Sequence, residues 1–529
     1  MRNPLKQILG RHARRLAALA CLFALVSASL AWRFHVETPR AWAAAEVPVA
    51  FWSWRDASPL EDEVESAARV ARTLFLRAGQ FDLDNGKLER IRAADGQFPR
   101  ALPLHLVYNG TRTLLNAFER VDETALADAI AATFKLDSER AAREGARVDG
   151  IQLDFDVPTR LLPRYERVLR ALCVQLPPDT QLSITGLPAW MQSASLARTL
   201  DAVAFWIPQC YGASIPQRLE DVVSISSPEL VAACVAGARR LGRPFYAGLA
   251  AYGYAILYSE RGALVELRGD LDPAAVARDP NFELIERRPF ASNDASSDDA
   301  HAATAREWRY VYRALGDGLF DNLKIRAGDR LLLDVPAAET LRAYARAARE
   351  QGGRNLLGLC IFRLPAKDDP TNLTLPQIAA ALADRPTVIN TNIKLETVDA
   401  QANRLRINAT NDGEACALNG DDALALVLRV PAGSVRGVVS LENVAAVEPL
   451  CSVGATANDV RESRPCGLRR ADTLRLRLRS WRAGETAQAV VGFDGDSPRQ
   501  LPVRIRLRAD DGRTWQNEQL AITRKGDTQ

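Results

Sequence analysis

The residues with the clearest chemical potential lie in Val148-Asp149-Gly150-Ile151-Gln152-Leu153-Asp154-Phe155-Asp156, where apolar side chains alternate with carboxylates and an amide. Side chains two apart on a strand share a face, so Gln152, Asp154 and Asp156 project together while Ile151, Leu153 and Phe155 pack the other way. Two carboxyls on one face repel as anions, so one of them should have its pKa raised. That is the equipment of a general acid. An amphipathic strand with solvated acids is the plainer alternative, but polar groups inside an otherwise apolar α/β pattern are costly unless paired or used.

A strand of this kind needs a frame. From about Pro48 to Leu364 short apolar runs alternate with longer helical patterns, the signature of βα units around a parallel sheet. Candidate strands fall at Val47–Trp52, Thr73–Leu76, Leu104–Tyr108, Gly150–Phe155, Gln181–Gly186, Ala202–Gln209, Pro244–Leu249 and Leu356–Phe362. Eight of them predict a (β/α)8 TIM barrel, whose C-terminal rim carries the site. Ala125–Phe134, Ser138–Glu144, Arg160–Leu172, Pro228–Leu241 and Ala338–Glu350 read as helices. Residues 255–333 are too long for a loop and predict an inserted α+β subdomain after the seventh strand. Its polar tip is at Ser292–Asp299, and strands are expected at Trp308–Arg313 and Arg330–Val335.

Past Pro386 the pattern changes to period-2 strands: 392–397, 404–408, 423–430, 438–441, 474–478, 486–493 and 503–507. Turns there are rich in Asn, Asp and Gly, which predicts an all-β sandwich of the immunoglobulin-like class. The expected domains are therefore 1–45 as signal peptide or membrane anchor, 46–384 as barrel and 385–529 as sandwich.

At the N-terminus Arg11, Arg14 and Arg15 precede an apolar run from Leu16 to Trp32, with small residues after it. This is the charge order of a secretory signal or a short inner-membrane anchor, so the protein is expected to be exported, periplasmic or secreted. Export makes Cys451 and Cys466 the readiest disulfide pair, with Cys173, Cys210, Cys234 and Cys360 read as buried free thiols in apolar surroundings. A net charge of +3 from 68 basic and 65 acidic residues implies neither nucleic acid nor an anionic membrane surface as a bulk partner, so membrane contact is expected only through an uncleaved N-terminal segment. Four scattered His and the Cys spacing predict no metal site, and no cofactor is expected.

The stretch from Asp149 to Asp156 resembles the fourth-strand signature of family 18 glycoside hydrolases, chitinases and their relatives, Asp-Gly-x-Asp-x-Asp-x-Glu. Asp149 and Asp154 match its first and third acids. Gln152 replaces the second, and Asp156 stands where the family has its catalytic Glu. Leu182–Pro188 is similar to that family's fifth strand. Tyr211 takes the Tyr position of its sixth-strand Met-x-Tyr-Asp, with Gln209 and Gly212 in place of Met and Asp. Tyr252 and Gly253 match the end of the seventh, and Phe362 stands at the floor Trp of the eighth. Closer still is the resemblance to a bacterial family, the domain-of-unknown-function 3142 proteins, through the core Gly150-Ile151-Gln152-Leu153-Asp154-Phe155-Asp156.

The resemblance implies a barrel acting on a polysaccharide or envelope glycan, N-acetylhexosamine-containing in the chitinase case. Asp156 would be the acid, Asp154 the residue orienting an acetamido group and Tyr211 a donor to its oxygen. Rim residues expected to bind sugar are Trp52, Trp54, Tyr108, Asn109, Gln152, Trp190, Gln209, Tyr252, Phe362 and Arg363. Core packing is the alternative for the aromatics, and a structural salt bridge is the alternative for Arg363. Asp is one methylene shorter than Glu, and a misplacement near 1 Å costs on the order of a hundredfold in rate. The second expectation is therefore a non-catalytic glycan-binding or envelope-assembly protein on a degenerate hydrolase barrel.

Overall fold

The computed structural model describes residues 47–84, 87–212, 216–221, 224–289, 308–366, 369–399, 403–417, 424–452, 463–478, 481–495, 498–509 and 513–524. The expected signal or anchor, Cys21 and the polar tip at Ser292–Asp299 lie outside the described residues. The chain divides into two compact units. One comprises Met1–Gln209, Ala233–Gly248 and Arg349–Cys360; the other comprises Cys210–Ala232, Leu249–Ala348 and Ile361–Gln529.

Eight parallel strands close into a barrel: β1 Val49–Ser53, β2 Thr73–Asp84, β3 Leu104–Gly110, β4 Val148–Asp154, β5 Gln181–Gly186, β6 Phe205–Pro208, β7 Phe245–Ala250 and β8 Leu356–Phe362. Each neighbours the next, and β8 returns to β1, so all eight predicted strands are present. Two details differ from the prediction. β2 runs on to Asp84 and turns back to pair antiparallel with Lys87–Ala93, and the two short helices expected between β3 and β4 form one helix, Glu123–Arg143. Asp122 caps that helix by accepting the Ala125 amide at 2.8 Å. Its buried face, Leu126, Ile130, Phe134 and Ala141, follows the helical repeat and packs it onto the sheet.

The base of the barrel interior is an aromatic plug. Phe75, His105, Phe205 and Tyr246, from β2, β3, β6 and β7, have ring centroids 4.9–6.2 Å apart. Glycines make room for it. A Cβ on Gly150 of β4 would lie 2.5 Å from His105 Nδ1, and one on Gly358 of β8 would lie 2.5 Å from the Tyr246 ring. Burial pushes the His105 pKa down to about 4, so the ring is a neutral packing element at physiological pH.

In the second unit an antiparallel sheet runs in the order Leu264–Arg268, Tyr254–Tyr258, Arg330–Val335, Trp308–Ala314, Phe282–Pro289. It closes around Leu257, Tyr310, Tyr312, Leu331 and Leu333. Both strands predicted for the insertion are in it. Among the described residues the C-terminal part has ten strands, nearly all antiparallel, in a four-stranded and a six-stranded half joined by a two-residue parallel pairing, Leu395 with Thr523 and Glu396 with Arg524. Leu405, Ile407 and Val491 of one half share a core with Leu426, Leu474 and Ile505 of the other. Cys451 and Cys466 form the expected disulfide, Cα atoms 5.9 Å apart. Two thiol expectations are corrected: Cys210 and Cys234 are disulfide-bonded rather than free, and Cys173 is free but exposed on its helix rather than buried. Cys360 is buried and free, as expected.

Candidate active site

Alternation along β4 carries Asp154 to the C-terminal end of the barrel. Registration of β3 with β4 sets Asn109 beside Asp154, and the Thr185 hydroxyl of β5 donates to Asp154 Oδ1 at 2.6 Å. From β2 the Arg77 guanidinium donates to Asn109 Oδ1 at 3.3 Å and to Asp56 Oδ1 at 2.7 Å. Its carbon lies 4.3 Å from the centre of the Trp54 ring. Asp56 also pairs with Arg92 of the hairpin strand. The result is a chain of polar contacts from hairpin to strand end: Arg92, Asp56, Arg77, Asn109, with Asp154 held alongside by Thr185.

Desolvation, then the charge of Asp156, push the Asp154 pKa up to about 7, against the opposing pull of the Thr185 hydroxyl and the Arg77 charge. Asp156, two residues on, is exposed by area at the mouth, and the groups crowded around it raise its carboxyl as well, by partial desolvation. A carboxyl protonated near neutrality beside a second carboxyl is a proton store with an exit. Burial also lowers the Arg77 pKa, with Asp56 as the main opposing influence.

Several residues expected to touch sugar sit in the core instead. Tyr108 points outward from β3, and its hydroxyl donates to Asp137 at 2.8 Å, which Arg90 also holds at 2.7 Å. Trp190 is fully buried outside the barrel wall, its Nε1 donating to the Val157 carbonyl at 3.0 Å and its ring against Tyr165. Gln152 is fully buried and donates to Ser183 Oγ at 3.3 Å. Trp52 is 3% exposed. Asn109 is buried but bonded to Arg77, Trp54 is half-buried under the same guanidinium, and Gln209 is half-buried just past the end of β6. Asp149 is held at the start of β4 by two nitrogens of Arg147, at 2.6 and 2.8 Å.

The second unit holds its own aromatic group. Tyr211 stacks on Phe362 with centroids 5.7 Å apart, and Tyr252 meets both edge-on, 6.1 and 5.2 Å away. Burial pushes the Tyr252 pKa up to about 12, so its phenol keeps its proton. Arg363 is spent on structure. It binds Asp369 through two nitrogens at 2.8 and 2.9 Å, and donates to the Gly269 carbonyl at 3.0 Å.

Arg77, Thr185 and Asp56 join the site without having been singled out by the sequence pattern. For two of them a signal exists: Arg77 is an arginine directly following the apolar run Thr73–Leu76, and Thr185 falls in the same alternating set on β5 as Ser183. Among the described residues no group of three metal-ligating side chains converges.

Comparison with solved structures returns distant likenesses in fold. The spore cortex-lytic enzyme SleL of Bacillus cereus aligns at 17% identity and TM-score 0.42, over 64% of this chain and 74% of that one. The chitinase of Chromobacterium violaceum aligns at 14% and 0.39, over 64% and 98%. The class V chitinase of Pseudomonas fluorescens Pf-5 aligns at 16% and 0.40, over 64% and 99%. No curated protein matches. Residues 114–281, from just after β3 into the insertion, match the model of the family described as Domain of unknown function (DUF3142).

Proposed function

We propose that this chain is an exported, glycan-acting hydrolase in which Asp154 and Asp156 share one catalytic proton. Asp154, enclosed and near pKa 7, stores the proton; Asp156, open at the mouth, presents it to the glycosidic oxygen. The observation that supports this reading is the raised carboxyl pair at the C-terminal end of β4, where barrel enzymes place their chemistry. Thr185 and the Asn109–Arg77 pair hold the strand ends around it. The substrate class, a polysaccharide or envelope glycan with N-acetylhexosamine, and the acetamido-donor role of Tyr211 come from the sequence resemblance.

A second reading, a barrel that binds glycan without cutting it, is favoured by one observation: Trp52, Tyr108, Gln152 and Trp190 are buried and cannot line a cleft. Incubating the protein with a panel of hexosamine-containing and acidic glycans separates the two. Hydrolysis predicts shortened products by mass spectrometry that Asp156→Asn abolishes. Saturable binding with no product on any glycan supports the second reading, and neither binding nor product refutes both.

A further inference from the structure

The six-stranded half of the C-terminal part has a chemically one-sided outer face. Along Thr473–Leu478 the residues Leu474, Leu476 and Leu478 fill the core, so alternation turns Arg475 and Arg477 outward. Along Gln500–Arg508 the core takes Leu501, Val503, Ile505 and Leu507, leaving Arg504, Arg506 and Arg508 outside. Arg429, on the strand between them, is the sixth. Val427 registers with both Arg475 and Arg504, and Ala425 with both Arg477 and Arg506, so the arginines form cross-strand rows. Glu448 pairs with Arg475 and Arg477, at 3.2 and 2.8 Å, and Glu518 pairs with Arg504. Among the described residues Arg506 and Arg508 have no acidic partner. Six arginines against Glu448, Glu518 and the marginal Asp472 make this face strongly positive, on a chain whose entire formal charge is +3. The opposite half shows no such bias: Arg406 pairs with Glu396, and Asn408 with Gln488.

The same face ends in an apolar corner. Pro502 registers with Leu520 and Gln500 with Ile522, while Ala521 between them is buried. Leu520 is 53% and Ile522 60% exposed. Leu520 and Ile522 therefore set two exposed aliphatic side chains on the same face, beside the basic field. Among the described residues no tryptophan serves this face: Trp481 is buried in the core and Trp515 packs against it, so stacking on sugars or bases has no platform here.

We propose that this face docks on an anionic lipid bilayer, the arginine rows meeting acidic headgroups and Leu520 with Ile522 entering the headgroup boundary. An anionic polymer would engage the arginines but leave the aliphatic corner in water, whereas a bilayer surface satisfies both. Each basic residue near such a surface raises partition about fivefold. The inference stands apart from the hydrolase reading, since it concerns neither Asp154 nor Asp156.

The test is sedimentation of the full chain with phosphatidylcholine vesicles, with and without phosphatidylglycerol. The apolar N-terminal run is common to all variants, so the comparison is between variants on the same vesicles. The expected result is that Arg506→Glu with Arg508→Glu lowers partition onto the acidic vesicles by about tenfold or more. Leu520→Thr with Ile522→Thr weakens binding at high salt as well as low, and Arg404→Glu on the opposite half changes nothing. Exposed strand positions tolerate these changes, and circular dichroism verifies folding. Equal partition of wild type and both face variants overturns the proposal. So does a loss confined to polygalacturonate or DNA binding, which assigns the face to a polymer.

Discussion

Among single residues, Asp154 is the one on which the proposed reaction turns, because burial changes its chemistry. Its carboxyl is raised from an ordinary value near 3.8 to about 7, so between those pH values the folded protein holds a proton that the unfolded chain releases. Folding stability from this group is therefore fully present at acid pH and lost as pH rises towards and through 7. Asp154→Asn removes the titration, and we expect it to stabilise the protein at pH 8 by roughly 1–3 kcal/mol while leaving it nearly unchanged at pH 4. Urea unfolding at the two pH values checks this, and equal effects at both would contradict it. Thr185 pulls the other way, since its hydroxyl donates to the ionised form. Thr185→Val should shift the alkaline limb of the pH–rate profile upward by about one unit with a smaller effect on the maximum rate.

Between elements, strand parity explains both what is legible in the sequence and what is not. The eight barrel strands are legible because each is a short apolar run bounded by turn residues, and Asp154 is legible because alternation on β4 sets it apart from Phe155. The same alternation applied to β3 puts Asn109 inward and therefore Tyr108 outward, against the helix and Asp137. Aromatic type suggests a sugar platform; position on the strand decides otherwise. Helix Glu123–Arg143 reads as two pieces because Leu136 and Asp137 invert the expected pattern. Leu136 is 64% exposed, and Asp137 is buried to meet Tyr108 and Arg90, partners 29 and 47 residues away that no local window contains. The strand Lys87–Ala93 that pairs with the end of β2 is hidden in the sequence because four of its seven residues, Lys87, Glu89, Arg90 and Arg92, are charged. Packing at the barrel base gives a prediction at this level. Gly150→Ala drives a methyl into the Gln181 carbonyl oxygen and the His105 ring, so it should cost roughly 2–4 kcal/mol in denaturant unfolding. A change under about 0.5 kcal/mol would mean that β4 and β5 can part without consequence.

For the whole molecule, stability is distributed between a barrel plugged by aromatic rings and a β-sheet part held by a shared apolar core and the Cys451–Cys466 bridge. The bridge joins residues 15 apart in sequence, a loop whose closure corresponds to about 3 kcal/mol. Replacing both cysteines by serine should lower the melting of the β-sheet part, measured by tryptophan fluorescence, with glycan cleavage at low temperature unaffected. The proposed hydrolase reading depends on the pair at the end of β4 delivering a proton to a glycosidic oxygen. The most direct measurement is the pH dependence of reducing-end release from a hexosamine-containing glycan by wild type, Asp154→Asn and Asp156→Asn. Wild-type cleavage is expected to fall as pH rises through about 7, and each variant to be slower by about a hundredfold or more. Cleavage that is equal in wild type and both variants, or a rate that climbs through neutral pH, would contradict it.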